Sequence, residues 1–170
     1  MRSSAVGFAG AFRRAELLAL EIADLTALPD GLRVLIRRSK TDPEAAGQEV
    51  AIPRGTQLRP VETLQAWLAA AGISEGPLFR PVSKGGTVGP APLSADGFVR
   101  ALKRRAAAAG LDPTGVAGHS LRAGFLTSAA DAGADPLKMA EVSRHTSLDT
   151  LRRYVRRASL FKAHAGAGFL

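Results

Sequence analysis

Residues 119–125 read HSLRAGF and place a histidine three positions before an arginine, where the pattern predicts the first turn of a helix. Such a pair is either an ordinary decoration of a helix surface or half of a clamp for an anion. The other polar candidates are just as plain when taken singly. Arg13 and Glu16, with the same spacing, suit a surface ion pair of about 0.2–0.5 kcal/mol. Lys40 suits a solvated lysine, and His145 beside Arg144 suits a basic turn. Tyr154, the only tyrosine in the chain, suits a core position with its hydroxyl at the rim. Together they are the set that metal-free cleavage of a phosphodiester requires. That chemistry needs a nucleophile, cations on the non-bridging oxygens and a proton for the leaving alkoxide. Two arginines supply fork-shaped donors, two histidines donate hydrogen bonds or move protons, a loop lysine serves as acid, and a tyrosine among cations favours its phenolate.

The elements that must position these groups are mostly helical. RRAELLALEIADL (13–25) is built of strong helix formers, and VETLQAWLAAAG puts Val61, Leu64 and Leu68 on one stripe before Gly72 ends it. Ser94 reads as the N-cap of a helix carrying Phe98, Leu102 and Ala106 up to Gly110. Another helix runs from near Ser120 to Gly133, Asp135 and Pro136 open a short one, and Ser147 caps a last one with Leu148, Leu151 and Val155 as its buried stripe. Residues 31–53 break the pattern with two β-rich runs around a turn-rich middle, a β-hairpin with a long tip. Lys40 stands where the first strand enters that tip. The Pro/Gly-rich stretch 76–92 reads as a connecting loop, and there is no internal repeat.

Composition bounds the function. A chain of 170 residues with 46% hydrophobic content forms one cored domain. It has no cysteine, hence no disulfide framework or thiolate metal site, and no apolar run long enough to span a bilayer. The first residues, MRSSAVGFAGAFRR, lack the apolar core of a signal peptide, so a reducing, cytoplasmic setting is expected. Formal charge is +8, and the excess sits in the second half, where residues 96–170 hold 12 Lys/Arg against 6 Asp/Glu. Such a balance suits a nucleic-acid backbone, and equally a membrane surface or a solvated face. No metal-binding histidine pair, aspartate cluster or glycine-rich phosphate loop argues for a metal or nucleotide, and DPE at 42–44 is too short and loop-like for a two-metal site. No cofactor is expected.

These boxes, in this order, resemble the catalytic domain of the tyrosine recombinase (phage integrase) family, whose signature runs R, K, H-x-x-R, H/W, Y. GAFRRAELLAL places the family's first arginine at Arg13, with Glu16 and Asp24 on the positions that support it. SKTD places the hairpin lysine at Lys40, GHSLRAGF the pair His119 and Arg122, and SRHTSLDTLRRYVRRA the later histidine at His145 and the nucleophile at Tyr154. The 23 positions from Arg122 to His145 and the 9 from His145 to Tyr154 match the family closely. The resemblance covers nearly the whole chain. It implies a mainly α (α+β) catalytic-domain fold with a small antiparallel β-sheet, one domain over 1–170, and the family's N-terminal DNA-clamping domain outside this chain. It also implies strand cleavage through a 3′-phosphotyrosyl link without metal or ATP, double-stranded DNA with a specific attachment site as partner, and four protomers at work on DNA. Lys103, Arg104, Arg105 and Arg144 are candidate DNA-backbone contacts, the first three equally suited to a solvated helix face.

Two departures from the family pattern stand out. Arg144 occupies a position usually held by glycine, where a positive φ would carry strain of about 1 kcal/mol. Ala15 replaces a common serine. The apolar residues Leu160, Phe161 and Phe169 near the C-terminus are candidates for a segment passed to a neighbouring protomer. A type IB topoisomerase shares the same logic, and a non-catalytic DNA-binding module would share the fold. The H-x-x-R and RHTSLDTLRRY matches favour the recombinase over the topoisomerase, and retention of all six catalytic positions argues against the non-catalytic module.

Overall fold

A computed structural model describes residues 3–37 and 47–158. The chain opens with helix α1 (Ser3–Ala9), turns through Gly10–Phe12 and enters α2 (Arg14–Ala19). A 3-10 turn at Ile22–Asp24 leads into β1 (Leu25–Leu28), followed by β2 (Gly31–Ile36), β3 (Gln48–Pro53) and α3 (Pro60–Ala71). After a long loop come α4 (Ala95–Ala108), α5 (Ser120–Asp131), α6 (Pro136–Ser143) and α7 (Leu148–Ala158). The architecture is thus helical around one three-stranded antiparallel sheet of order β1-β2-β3.

The sheet is anchored by alternation. Leu32, Val34 and Ile36 of β2 point inward while Arg33 and Leu35 face out, and Leu32 and Val34 pair with Ile52 and Val50 of β3. Gly31 is required at the start of β2, because a Cβ there would meet the Ile52 carbonyl oxygen at 2.2 Å. Against the inner face pack Phe12, Leu17, Val61, Leu64, Leu78 and Phe98. A second, smaller core of Leu126, Ala130, Met139 and Leu151 joins α5, α6 and α7, with Tyr154 at its edge.

Local signals placed most caps correctly. Ser94 Oγ accepts from the Gly97 amide at 3.1 Å, Asp135 accepts from Leu137 and Lys138, and Ser147 Oγ accepts from Asp149. Gly72 ends α3 in the left-handed conformation at φ 61.

Two expectations are corrected, and one helix has no counterpart among those expected from the sequence. The helix expected over 13–25 stops at Ala19, and Leu25 begins a strand. Leu20 turns extended because it is buried against the first core and its carbonyl accepts from the Leu78 amide, while the Ile22 amide donates to Gly76. The sheet therefore has a third strand, cut from sequence of high helix propensity. Residues 3–9, which carried no helix signal, form α1, wedged so tightly that a Cβ on Gly7 would meet Leu17 and Leu121 within 2.8 Å. Leu148 is exposed rather than part of the buried stripe, because the first turn of α7 projects beyond the small core; Leu151 is fully buried and Val155 half-buried.

Candidate active site

Arg13 precedes α2 with an extended backbone, and Glu16 in the first turn holds it from two directions. Glu16 accepts from the Arg13 amide at 2.9 Å and from Arg13 Nη1 at 2.6 Å. Arg13 Nη2 also donates to the Arg144 carbonyl, 131 residues away. The Arg13 side chain keeps 28% exposure, enough to reach an incoming anion.

Arg122 lies in the first turn of α5 and is buried. Its Nη1 donates to the Ala11 carbonyl at 2.8 Å, and its Nη2 lies against the His145 ring. Ala11 is itself held at φ 45, a conformation that costs a non-glycine residue about 1–2 kcal/mol. That strain aims its carbonyl at the arginines.

His145 follows α6, and Ser143 settles which ring nitrogen carries the proton. Ser143 is fully buried, with Oγ 2.6 Å from the Met139 carbonyl and 2.7 Å from His145 Nδ1. The hydroxyl has one proton, and two oxygens at that distance need it between them. Nδ1–H then donates to Ser143 and Nε2 is left as the acceptor nitrogen, with Arg122 Nη2 against the ring edge between them, 3.3 Å from Nδ1 and 3.4 Å from Nε2. Burial, then the charges of Arg122, Arg13 and Arg144, push His145 down to about 4, so the ring is neutral near pH 7.

Electrostatically the cluster sets three guanidiniums, Arg13, Arg122 and Arg144, around one carboxylate, Glu16. Burial opposes ionisation of Glu16, but the hydrogen bonds from Arg13 and the charge of Arg144 outweigh it and hold the carboxyl below its ordinary value. Burial first, then repulsion from Arg13 and Arg144, pulls Arg122 down to about 10, with Glu16 and Tyr154 opposing; it stays charged at neutral pH. Tyr154 is half-buried on α7, at the edge of the smaller core.

The structure thus brings together Arg13, Glu16, Arg122, Arg144 and His145, while Tyr154 sits at the edge of the smaller core shared by α5, α6 and α7. His119 immediately precedes α5, exposed and without a capping bond from its side chain. Lys103, Arg104 and Arg105 are exposed on α4. Lys40 lies outside the described residues. Asp24 does not join the cluster: buried, it accepts from the Glu21 amide at 2.8 Å and pairs with Arg37 Nε at 2.5 Å. Arg144 differs from expectation too, because its side chain turns inward and is 6% exposed. Its backbone is left-handed at φ 57, the conformation whose strain the sequence made conditional. Ser143 and the carbonyls of Gly10 and Ala11 were not foreseen; backbone acceptors have no side-chain signature, and Ser143 is polar at a position that reads as helix interior. Among the described residues no group of three or more histidine, aspartate or glutamate side chains is arranged to hold a metal ion, and no helix is long and apolar enough to cross a membrane.

Known proteins share this arrangement of elements. The chain is 39% identical over 162 residues to an integrase/recombinase xerD homolog of Selenomonas ruminantium, covering 94% of this chain and 48% of that protein. It is 33% identical to the tyrosine recombinase XerD of Xanthomonas axonopodis pv. citri (strain 306), covering 93% and 51%. It spans about half the length of these curated relatives. The fold resembles that of the XerH site-specific recombinase bound to palindromic difH substrate in a post-cleavage complex, with TM-score 0.70 and 22% identity over 94% of this chain and 42% of that one. It also resembles the Tn1549 transposon integrase in complex with a circular intermediate DNA, with TM-score 0.62 and 17% identity over 90% of this chain and 52% of that one. The profile of the phage integrase family matches residues 5–160. With the family's R, H-x-x-R, H and Y boxes falling on residues 13 to 154 of the same match, the chain belongs to the phage integrase family.

Proposed function

We propose that this domain cleaves and rejoins DNA strands at a specific site through a covalent link to Tyr154. The observation that carries the reading is the convergence of Arg13, Arg122 and His145 from three separated stretches of chain, with Tyr154 on the helix α7 that packs against α5. The Tyr154 hydroxyl oxygen attacks the phosphorus, the bond to the 5′-oxygen breaks, and a 3′-phosphotyrosyl link forms. Arg13 and Arg122 bind the non-bridging oxygens, where charge grows in the transition state. His145 Nε2, with its lone pair set by Ser143, takes the tyrosine proton, and His119 donates a hydrogen bond to the phosphate. Lys40 supplies the proton that the 5′-oxygen acquires. Rejoining is the reverse, with a 5′-hydroxyl from the same or another duplex as nucleophile, so the phosphodiester energy is kept and no ATP is spent.

Two features suit the site to an anion. Its guanidiniums outnumber its carboxylate, and a phosphodiester brought among them counters the repulsion that depresses His145. Lys103, Arg104 and Arg105 extend the positive surface to more distant phosphates. Exchange between two duplexes needs one active site per strand, hence four copies, with the chain at work on chromosomal or mobile-element DNA in the cell interior.

The test is a denaturing gel of the domain with nicked attachment-site duplexes and with supercoiled plasmid, in EDTA, against Tyr154→Phe. A protein–DNA adduct that survives denaturant and vanishes in the variant is expected. An adduct that persists in Tyr154→Phe would overturn the assignment of the nucleophile. Relaxation of plasmid without joining of partner strands would point to topoisomerase action instead.

A further inference from the structure

Arg144 is the member of the cluster for which the phosphate chemistry has no task. Among the described residues only Ala11 and Arg144 are non-glycine residues at positive φ, and they touch: Arg144 Nη2 donates to the Ala11 carbonyl at 3.2 Å. The four N–H bonds of its terminal nitrogens are all spent inside the protein. Nη1 donates to the carbonyls of Gly10 at 3.0 Å and Val142 at 2.8 Å, and Nη2 to Ala11 and to Glu16 Oε2 at 2.8 Å. The guanidinium also lies over the Phe12 ring, 5.2 Å from its centre. No terminal donor remains for a phosphate oxygen.

These contacts close a ring. The Arg144 guanidinium holds Glu16, Glu16 holds the amide and guanidinium of Arg13, and Arg13 Nη2 returns to the Arg144 carbonyl. One side of the ring belongs to the Gly10–Glu16 corner. The other belongs to the turn between α6 and α7, next to His145 and ten residues before Tyr154. We propose that Arg144 is a positioning residue that fixes Glu16, and through it the fork of Arg13, against the segment carrying His145 and Tyr154. Its left-handed backbone fits the same role, since the turn aims the side chain back under α2 instead of outward. Strain held at such a point persists only where the surroundings over-determine it, and four hydrogen bonds and a ring contact do so here.

The kinetic consequence rests on the recombinase reading; the structural claim does not. Arg144→Gly keeps the turn, because glycine adopts φ 57 without strain, and removes only the side chain. The saturating rate of Tyr154 adduct formation is expected to fall about 30-fold, with the half-saturating DNA concentration changed by less than about 3-fold. Millimolar methylguanidinium, which fits the vacated fork, is expected to restore about a third of the lost rate on the logarithmic scale. Exchange of the Arg13 amide proton, bonded to Glu16, should accelerate about 10-fold while the Val34 and Val50 amides keep their protection. Cleavage within about 3-fold of wild type, an unchanged Arg13 amide, or loss of protection at Val34 and Val50 together with activity would each overturn the proposal. Should the wild-type chain form no Tyr154-dependent adduct, the recombinase reading fails, and the amide exchange still decides the role of Arg144.

Discussion

The sheet-bearing N-terminal part and the three-helix C-terminal part are stabilised in different ways. Among the described residues the first packs Val34, Ile52, Phe12, Leu17 and Phe98 into a core of sixteen buried side chains, whereas the second has four, Leu126, Ala130, Met139 and Leu151. At about 1.5–3 kcal/mol per buried side chain, apolar burial dominates the first part and leaves the second marginal. What ties the second to the first is partly apolar, through the edge-on contact of Phe8 and Phe125 at 5.9 Å and the packing of Leu121 against the larger core, and partly polar. Arg122 reaches Ala11, and Arg144 reaches Gly10, Ala11 and Glu16. The polar ties are the candidate active site itself. In this protein the arginines proposed to bind phosphate and the docking of the helix that carries Tyr154 are one structure, so damage to either registers in both.

The sharpest way to break that comparison is Glu16→Ala. It leaves Arg13 and Arg144 without their shared carboxylate in a buried setting, and a loss of about 3–5 kcal/mol is expected by urea denaturation, together with loss of the adduct. Retention of wild-type stability would show that the ring carries no load between the two parts. Next comes Leu151→Ala, a cavity in the smaller core costing about 2–5 kcal/mol. Hydrogen exchange should show α5–α7 opening while β2 and β3 stay protected; uniform loss of protection would mean the two parts unfold as one.

Acid should act on the same seam. His145 is depressed to about 4, so between that value and its unfolded value near 6.5 the unfolded chain binds the extra proton, and stability falls as pH is lowered through this window. Glu16, held below its ordinary value, adds a loss of the same sign as pH falls further through the carboxylate range. Urea midpoints at pH 7 and pH 5 should differ, and His145→Gln should shrink the difference; a larger difference in the variant would reverse the sign assigned here. The smallest effect is expected from Ser143→Ala, about 1 kcal/mol for a lost hydrogen bond. Its signature is the ring nitrogen shifts of His145, which should leave the Nδ1–H form.

Much of this was legible locally. The strong caps at Ser94, Asp135 and Ser147 and the alternation in 31–36 and 48–53 depend on neighbours a few residues away, so sequence alone determined three helix starts and the main hairpin. The types and order of Arg13, His119, Arg122, His145 and Tyr154 were equally plain, because the chemistry of phosphate restricts which side chains serve. Tertiary structure alone decided the rest. Leu20 and Leu25 left a helix-forming run because the Leu78 amide, from a distant segment, bonds the Leu20 carbonyl and the adjoining β2 pairs with the strand that Leu25 begins. Asp24 went to Arg37, and Arg144 went inward to Glu16, Gly10 and Ala11 rather than outward to solvent. A buried arginine needs acceptors for its N–H groups, and two of the four that Arg144 finds are main-chain carbonyls more than a hundred residues away. Every residue has such a carbonyl, so only the fold decides which of them meet a given guanidinium.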